Sequence, residues 1–96
     1  MSANKGDLIK HVALYNGITQ KDAKQIVEST LDFIMDQNAN GEKVLLMGFG
    51  TFESRVRKAH KGVNPQTGES MMIKETITPR FRPGKEYRER VKKQAE

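Results

Sequence analysis

The chain has 96 residues, of which 35% are hydrophobic and 30% charged, and it contains no cysteine. This length suits a single domain, and the lack of cysteine excludes a disulfide framework and a thiolate metal site. No apolar run approaches the roughly 18 residues of a membrane span, and no signal peptide opens the chain. We therefore expect a cytoplasmic protein with no membrane partner.

The net charge of +5 is unevenly distributed. Residues 1–47 carry five basic and six acidic side chains, whereas residues 48–96 carry twelve basic and six acidic ones. The C-terminal half is therefore the part of the chain that attracts a polyanion. An acidic membrane surface is disfavoured as that polyanion, because no basic amphipathic helix with an aromatic face is present.

The N-terminal half predicts two helices. Asn4 is suited to cap the first helix, whose apolar stripe ends near Asn16, with Gly17 following it. Thr19 is suited to cap the second helix, which runs to about Asn38. The exposed side of the second helix carries three acidic residues, Glu28, Asp32 and Asp36. A helix-turn-helix DNA reader is disfavoured because these carboxylates would repel phosphates, so the helices are predicted to be scaffold and dimer surface.

Strand segments follow the two helices. Val44–Met47 is apolar on both faces and is therefore expected to be buried on both. Two longer runs, Gly50–Val63 and Glu69–Phe81, are joined by the turn sequence Asn64–Gly68. Each run has about a dozen residues, against roughly five or six in the usual strand. Part of this hairpin must therefore project from the body or wrap a partner.

The C-terminal segment predicts a further helix. Pro83 and Gly84 interrupt the last strand, and Lys85–Gln94 follows, with Tyr87 and Val91 one helical turn apart and facing inward. With a long hairpin outside the body, few residues remain to form a core. An obligate dimer is therefore favoured.

The first run of the long hairpin contains four basic residues with no acid among them: Arg55, Arg57, Lys58 and Lys61. Strand alternation puts Arg55, Arg57 and Lys61 on one face, whereas Lys58 and His60 lie on the other. The return run adds Lys74 and Arg80. A projecting basic ribbon with a proline at its tip fits a nucleic-acid groove, whose phosphates it can flank. The alternative is an ordinary solvated hairpin whose lysines blunt exposed strand edges.

The inventory of reactive side chains does not indicate an enzyme. The two histidines, His11 and His60, lie far apart in unlike elements, and no cysteine nucleophile is present. A glycine-rich phosphate loop and a His-x-x-x-His zinc pair are also missing from the sequence. We therefore expect no catalysis, no cofactor, no metal and no small-molecule substrate.

Three motifs resemble those of one known family. Gly48–Phe52 (GFGTF), Asn64–Gly68 (NPQTG) and Phe81–Lys85 (FRPGK) are similar, in order and spacing, to motifs of the HU and integration host factor family. These are bacterial histone-like, DNA-bending proteins, and the resemblance covers roughly residues 4–93. It implies an α+β fold with two N-terminal helices, a three-stranded antiparallel sheet with a long β-hairpin arm, and a short C-terminal helix. The implied assembly is an intertwined homodimer, with a heterodimer of paralogues as the alternative.

The resemblance also implies the site. The chain would be one domain, residues 1–96, with a body of about 1–54 and 78–96 and an arm of about 55–77. Each arm would lie along the minor groove of double-stranded DNA in the nucleoid, with Pro65 as a wedge between base pairs. The implied DNA-binding residues are Lys5, Arg55, Arg57, Lys58, His60, Lys61, Asn64, Pro65, Lys74, Arg80, Arg82 and Lys85. The residues of an aromatic core shared between the subunits would be Phe49, Phe52 and Phe81.

The implied function is architectural, because such proteins bend and compact DNA with little sequence specificity. A site-specific bending factor of the integration host factor type is one alternative. A basic structural protein that binds an acidic protein partner is another. The chain departs from the family pattern at His60 and Val63, where family members commonly carry arginine. These two departures predict either weaker arm binding at neutral pH or a more apolar contact with the groove.

Overall fold

A computed structural model describes residues 1–95. The helices are α1 Lys5–Asn16, α2 Gln20–Ala39 and α3 Lys85–Ala95. The strands are β1 Val44–Leu46, β2 Gly50–Arg57, β3 His60–Val63, β4 Ser70–Ile73 and β5 Thr76–Pro83. The chain divides into two compact units, Met1–Asp36 and the part from Gln37 onward, so the boundary falls within α2.

Capping residues lie at the predicted starts of α1 and α2 and at the predicted end of α1. The Asp7 backbone N–H donates to Asn4 Oδ1 at 2.9 Å, and the Asn4 backbone N–H donates to Asp7 Oδ2 at 3.0 Å, which completes a capping box. Gly17 ends α1 in the left-handed conformation, with φ of 63°. At the start of α2, the Asp22 backbone N–H donates to Thr19 Oγ1 at 3.1 Å. These contacts satisfy backbone donors that a helix start otherwise leaves unpaired, and the predicted helix starts are confirmed.

The buried side chains of the first unit are small. Ala13 on α1 is buried, as are Ala23 and Val27 on α2. One ion pair joins the two helices, with Lys5 Nζ at 3.5 Å from Glu28 Oε1. The larger exposed apolar side chains of this unit are Leu8, Leu14, Tyr15, Ile26, Leu31, Phe33 and Met35. The helices of a single chain therefore leave much apolar surface in contact with water.

β2 is the central strand of a three-stranded antiparallel sheet with the order β1-β2-β5. Its pairing with β5 runs without a shift from Gly50↔Pro83 to Arg57↔Thr76. β3 and β4 pair separately as a two-stranded antiparallel sheet. Together with their connecting turn they form residues 60–73, which we call the distal hairpin. The observed elements agree with the α+β class expected from the sequence.

The prediction of two continuous strands, residues 50–63 and 69–81, is wrong because each run is interrupted. Lys58–Ala59 separates β2 from β3, and Lys74–Glu75 separates β4 from β5. Lysine, alanine and glutamate are depleted in strands, which gives a physical reason for breaks at these places. The interruption is two residues long in each run, so the pairing resumes in the distal hairpin in the same register.

The prediction that Val44–Met47 is buried on both faces is also wrong for this chain. Val44 is buried, but Leu45 is 67% exposed and Met47 is 97% exposed. β1 is an edge strand of the sheet. Leu45 pairs with Thr51 and so lies on the face of the sheet opposite Phe52, where no side chain of residues 1–95 buries it.

An aromatic cluster lies on the sheet and comprises Phe49, Phe52, Phe81 and Tyr87. The ring centroids are 4.7 Å apart for Phe52 and Phe81, and 5.3 Å apart for Phe49 and Tyr87. A Cβ atom on Gly50 would lie 2.6 Å from Cε1 of Phe81. Only glycine therefore fits beneath the Phe81 ring, which explains one glycine of the GFGTF motif.

α3 is attached to the sheet through its first turn. The Gly84 backbone N–H donates to the Phe49 carbonyl oxygen at 2.8 Å, and Tyr87 packs edge-on against Phe49 and Phe81. Tyr87 thus faces inward as predicted. Val91 is 60% exposed, so the same prediction is wrong for this residue, which lies one turn beyond the rings.

We expect Phe81→Ala to lower the free energy of unfolding by about 3 kcal/mol, because the ring contacts three aromatic neighbours and its removal leaves a cavity. Urea denaturation followed by circular dichroism measures this change. Lys10→Ala, at an exposed position of α1, is the control. It should alter stability by less than about 0.5 kcal/mol. Equally small effects of the two substitutions would contradict a stabilising role for the cluster.

Candidate nucleic-acid interface

The ladder between β2 and β5 sorts side chains onto two faces. Directly opposite residues share a face, and successive residues along a strand alternate between faces. The pairs on the largely apolar face include Phe52↔Phe81, Ser54↔Pro79 and Val56↔Ile77. The pairs on the opposite face are Thr51↔Arg82, Glu53↔Arg80, Arg55↔Thr78 and Arg57↔Thr76. We call this second surface the arginine face.

The arginine face brings together four residues that the sequence predicted to bind DNA: Arg55, Arg57, Arg80 and Arg82. All four side chains are exposed, and Glu53 is the only acid on the face, so its formal net charge is +3. A guanidinium group presents several N–H donors in a plane and can bind a phosphate through two of them. Four such groups on one extended surface are chemically able to bind several phosphates at once.

Three hydroxyl groups also lie on the arginine face and were not predicted from the sequence. They belong to Thr51, Thr76 and Thr78. Threonine hydroxyls commonly donate to phosphate oxygens and help to position a protein on a duplex. The signal was present in the sequence, because Thr76, Thr78, Arg80 and Arg82 occupy alternate positions of one strand.

Glu53 is an acidic residue at the centre of this basic surface. Its side chain is only 16% exposed, and its Oε1 atom lies 3.4 Å from Nη1 of Arg82. Oε1 has no hydrogen-bond partner among the described residues, so the contact with Arg82 is an ion pair without a directed hydrogen bond. Glu53 therefore offsets part of the positive potential where a phosphate would approach. No role for Glu53 was predicted from the sequence.

The distal hairpin also has two faces. Lys61↔Met72 and Val63↔Ser70 lie on one face, and His60↔Ile73 and Gly62↔Met71 lie on the other. His60 and Lys61 therefore face opposite ways, as alternation predicts. The ladder is interrupted between Arg57 and His60, so the predicted grouping of Lys61 with Arg55 and Arg57 stays a prediction.

The ring of His60 has a defined hydrogen bond. Its Nδ1 atom lies 3.1 Å from the backbone oxygen of Lys58. A carbonyl oxygen can only accept, so Nδ1 carries the proton and Nε2 is the ring nitrogen left for another partner. In the neutral ring Nε2 is an acceptor, and only the protonated ring can donate from it to a phosphate oxygen.

The tip of the hairpin is fixed by its own backbone and by Asn64. Asn64 Oδ1 accepts from the Gln66 N–H at 2.9 Å, and the Gly68 N–H donates to the Asn64 carbonyl oxygen at 2.8 Å. Gly68 has φ of 72°, a conformation that favours glycine. Pro65 is exposed at the end of this turn. Asn64 is half-buried and its side-chain oxygen is already engaged, so its first role is to hold the turn around Pro65.

The other predicted DNA-binding residues are dispersed. Lys58 and Lys74 lie in the two strand interruptions, and Lys85 is the first residue of α3. All three are exposed. Lys5 belongs to the other compact unit, where it pairs with Glu28. Within the second unit, the structure therefore joins the four arginines into one surface, whereas Lys58, Lys74 and Lys85 lie outside the paired positions of that surface.

Two further features are absent from residues 1–95. No helix in this range has the length and apolar character needed to cross a membrane. The same residues contain no group of three or more histidine or acidic side chains that could hold a metal ion.

A family described as bacterial DNA-binding protein matches residues 3–92. The chain belongs to this family. It is 48% identical over 90 residues to the DNA-binding protein HU of Lactococcus lactis subsp. lactis (strain IL1403). This match covers 94% of this chain and 99% of that protein. It is 47% identical over 89 residues to HU of Geobacillus stearothermophilus, with 93% and 99% covered.

Solved HU structures have the same fold as this member of the family. An Anabaena HU–DNA cocrystal structure matches with a TM-score of 0.80 and 45% identity, over 93% of this chain and 97% of that chain. HU from Thermotoga maritima matches with a TM-score of 0.65 and 34% identity, over 93% and 98%. The expected family, fold class and architectural DNA-binding function are confirmed. The site-specific bending factor and the acidic protein partner gain no support.

We expect Glu53→Gln to strengthen binding to duplex DNA several-fold at low salt, because it removes an anion from the arginine face and frees Arg82. Fluorescence anisotropy with a labelled random-sequence duplex measures the affinity. Asp32→Asn, an acid-to-amide change on exposed α2, is the matched control and should have a smaller effect. Weaker binding by Glu53→Gln would show instead that the carboxylate is needed to orient Arg82.

Proposed function

We propose that this bacterial DNA-binding protein holds double-stranded DNA with its arginine face and its distal hairpin, and bends the duplex with little reading of base sequence. The observation that carries the proposal is the continuity of these two surfaces. The arginine face ends at the pair Arg57↔Thr76, and pairing resumes at His60↔Ile73, after two unpaired residues in each strand and in the same register. A ribbon of this kind can follow a groove while its basic edge meets phosphates.

Affinity in this proposal comes mainly from phosphate neutralisation. Cationic side chains that bind phosphates release condensed counterions into solution, which favours binding without regard to sequence. Phosphate contacts position a protein on DNA but carry no direct base information. The arginines and threonines of the arginine face are groups of this kind. The twelve basic residues after position 47 would supply further, more diffuse attraction.

Bending in this proposal requires a wedge at the end of the ribbon. Pro65 is exposed at a turn whose shape is fixed by Asn64 and Gly68. Its ring is compact and apolar, and it has no N–H to leave unpaired against stacked bases. Unstacking a base step costs a few kcal/mol, which further contacts of the bent duplex with the protein offset. The remaining predicted residues, Lys5, Lys58, Lys74 and Lys85, would contact flanking phosphates.

Members of this family form dimers, and we propose that this chain forms an intertwined homodimer. The buried apolar side chains found in the chain are only Ala13, Ala23, Val27 and Val44, within the described residues. Larger groups are left exposed on the helices, on β1 and at Phe49, which is 43% exposed. A second copy would cover them and extend the aromatic cluster across the interface. Sedimentation equilibrium tests this, because a folded monomer at micromolar concentration would refute it.

The proposed role is structural and not catalytic. The residues of the interface are arginines, threonines and a proline, which bind and deform DNA and need no nucleophile or cofactor. The place of action that we infer is the nucleoid in the bacterial cytoplasm, since the family consists of bacterial DNA-binding proteins. We also propose the division expected from the sequence, with an arm of about residues 55–77 and a body of about 1–54 and 78–96.

The proposed function predicts steep salt dependence of DNA binding. If each dimer neutralises roughly 6–10 phosphates, affinity for a random duplex should fall about 10³- to 10⁵-fold between 50 and 200 mM salt. Anisotropy titrations at several salt concentrations measure the slope. Arg55→Gln should reduce the slope by up to about 0.9 per chain. A nearly flat dependence for the parent protein would refute the electrostatic mechanism.

The wedge predicts a specific defect for Pro65→Ala. This variant should bend a linear duplex less than the parent, while its affinity for DNA that is already kinked by a nick should change little. Fluorescence energy transfer between the duplex ends reports bending. Gln66→Ala is the control because it is the neighbouring tip residue and retains the proline. Equal bending by the parent and Pro65→Ala would leave Pro65 with a role in the turn only.

The place of His60 on the distal hairpin predicts that a permanent cation there strengthens DNA binding. His60→Arg should bind a random duplex several-fold more tightly than the parent at low salt, because a guanidinium is always charged and donates to phosphate oxygens. Anisotropy titration measures the affinity. His11→Arg, which adds the same charge on α1, is the matched control and should have a smaller effect. Equal affinities of the parent and His60→Arg would refute the assignment of His60 to the DNA-binding surface.

A further inference from the structure

Two consecutive methionines occupy the middle of β4. Met71 and Met72 are two of the five methionines in the chain, and alternation along the strand sends their side chains to opposite faces of the distal hairpin. Met71 is 49% exposed and Met72 is 65% exposed, so burial in a core does not account for either residue. An exposed thioether is a soft, reactive group that small oxidants can reach.

The surroundings of Met72 contain two hydrogen-bond donors. Lys61 lies directly opposite across the ladder, which places the two Cβ atoms about 4.5–5.5 Å apart. Ser70 comes two residues earlier on β4 and is therefore on the same face. These residues and Met71 line a shallow surface cavity of about 130 Å³. An oxygen atom added to the sulfur of Met72 would therefore find space and donors at the same place.

Lys61 carries the permanent positive charge of the distal hairpin. It is the only lysine or arginine in residues 60–73, and its side chain is exposed. Within residues 1–95, no carboxylate forms an ion pair with it. The thioether of Met72 is only a weak acceptor. In the reduced protein the ammonium group of Lys61 can therefore bind a phosphate.

Oxidation of Met72 requires only a peroxide. A lone pair of the sulfur attacks one oxygen of hydrogen peroxide, so that an S–O bond forms and the O–O bond breaks. The second oxygen leaves as hydroxide and takes up the proton of the transferred oxygen, which gives water. Sulfur loses two electrons and the peroxide gains them. Methionine sulfoxide reductases reverse the change, with two thiols that become a disulfide as the source of electrons and water as the other product.

We propose that Met72 is a reversible oxidation site, which controls the positive charge that the distal hairpin offers to DNA. The sulfoxide is polar, and its oxygen is a much stronger acceptor than the thioether sulfur. This oxygen accepts a hydrogen bond from Lys61 Nζ and withdraws the ammonium group from phosphates. The inference rests on the proposed function and adds a site of regulation to it.

Met71 provides an internal contrast on the other face of the hairpin. It lies opposite Gly62, which has no side chain that could donate. His60 is its diagonal neighbour, but Nδ1 of that ring already contacts the Lys58 carbonyl oxygen, and Nε2 is an acceptor while the ring is neutral. A sulfoxide at position 71 therefore has no cationic donor on its face of the hairpin. Its formation should leave the salt-dependent part of the affinity unchanged.

The test uses the full-length protein before and after treatment with hydrogen peroxide. Peptide mass spectrometry locates the sulfoxides, and anisotropy titration of a random duplex at several salt concentrations gives the affinity. The oxidised parent should bind several-fold more weakly at low salt, with a slope lowered by up to about 0.9 per chain. Treatment with reductases for both sulfoxide epimers and a thiol should restore both quantities.

Two matched variants assign the effect to one sulfur. Met72→Leu should bind like the parent before peroxide treatment and should lose no affinity after it, although its other methionines are still oxidised. Met71→Leu, the control from the neighbouring position, should lose as much affinity as the parent. Circular dichroism of each oxidised protein checks that the fold is retained.

Lys61→Gln separates this mechanism from a general effect of added polarity. Without the ammonium group, the unoxidised variant should already show the lowered salt slope. Peroxide should then cause no further loss of affinity, although Met72 is oxidised as in the parent. The same loss in this variant as in the parent would show that Lys61 does not carry the effect and would overturn the proposal.

Four other results would also overturn the proposal and leave the proposed function intact. They are unchanged affinity of the oxidised parent, a parental loss of affinity in Met72→Leu, unfolding of the oxidised parent, and a Met72 that stays reduced while free methionine is converted. A parent protein with no salt-dependent DNA binding before peroxide treatment would instead overturn the proposed function. Mass spectrometry would still show in that case whether Met72 is oxidised.

Discussion

The antiparallel pairing of β2 with β5 is the interaction on which the rest of the second unit depends. Eight residue pairs run without a shift, so every second side chain of both strands lies on the same face. One register therefore places Phe52 against Phe81 on one side and four arginines on the other. A slip by one residue would exchange these two sets and put the arginines against the aromatic cluster. Folding and the proposed DNA binding thus use the two sides of a single ladder.

The sheet built on this ladder buries little of its apolar side-chain surface within one chain. Its apolar face is one layer thick, and Val56 and Ile77 at its far end are 56% and 65% exposed. The edge strand β1 and the turn at Met47 add further apolar surface. A sheet with one uncovered apolar face is not stable alone unless another layer packs against it. The dimer proposed for this family member supplies that layer, so assembly and the presentation of the arginines are linked through one sheet.

The sequence predicted the fold well where local chemistry decides it. Asn4, Gly17 and Thr19 mark helix ends through backbone groups that only a few residue types satisfy, and these positions were all correct. Local patterns could not predict the burial of β1, because burial depends on which surfaces meet in space or across subunits. The strand interruptions were missed because the alternating pattern continues through Lys58–Ala59, where only weak propensity argues against a strand.

The candidate site was predictable in its charges but not in its arrangement. The arginines could be read from composition and spacing, whereas Glu53 gained its role only from its position across the ladder from Arg80 and beside Arg82. Single-strand alternation does not reveal such cross-strand relations, because they depend on the register. Thr76 and Thr78 are a different case, because they alternate with Arg80 and Arg82 along one strand and so could have been assigned to the same face from the sequence.

In the proposed function, the arginine face and the tip of the hairpin act on DNA through forces of different range. Ionic contacts are long-ranged and tolerant of geometry, so the arginines would hold a duplex before it bends. Apolar contact is short-ranged and acts only when surfaces meet, so Pro65 would gain affinity only after a base step has opened. Asn64 and Gly68 hold Pro65 at the end of the hairpin in a fixed turn. We therefore expect capture by charge to come first and insertion of the tip second.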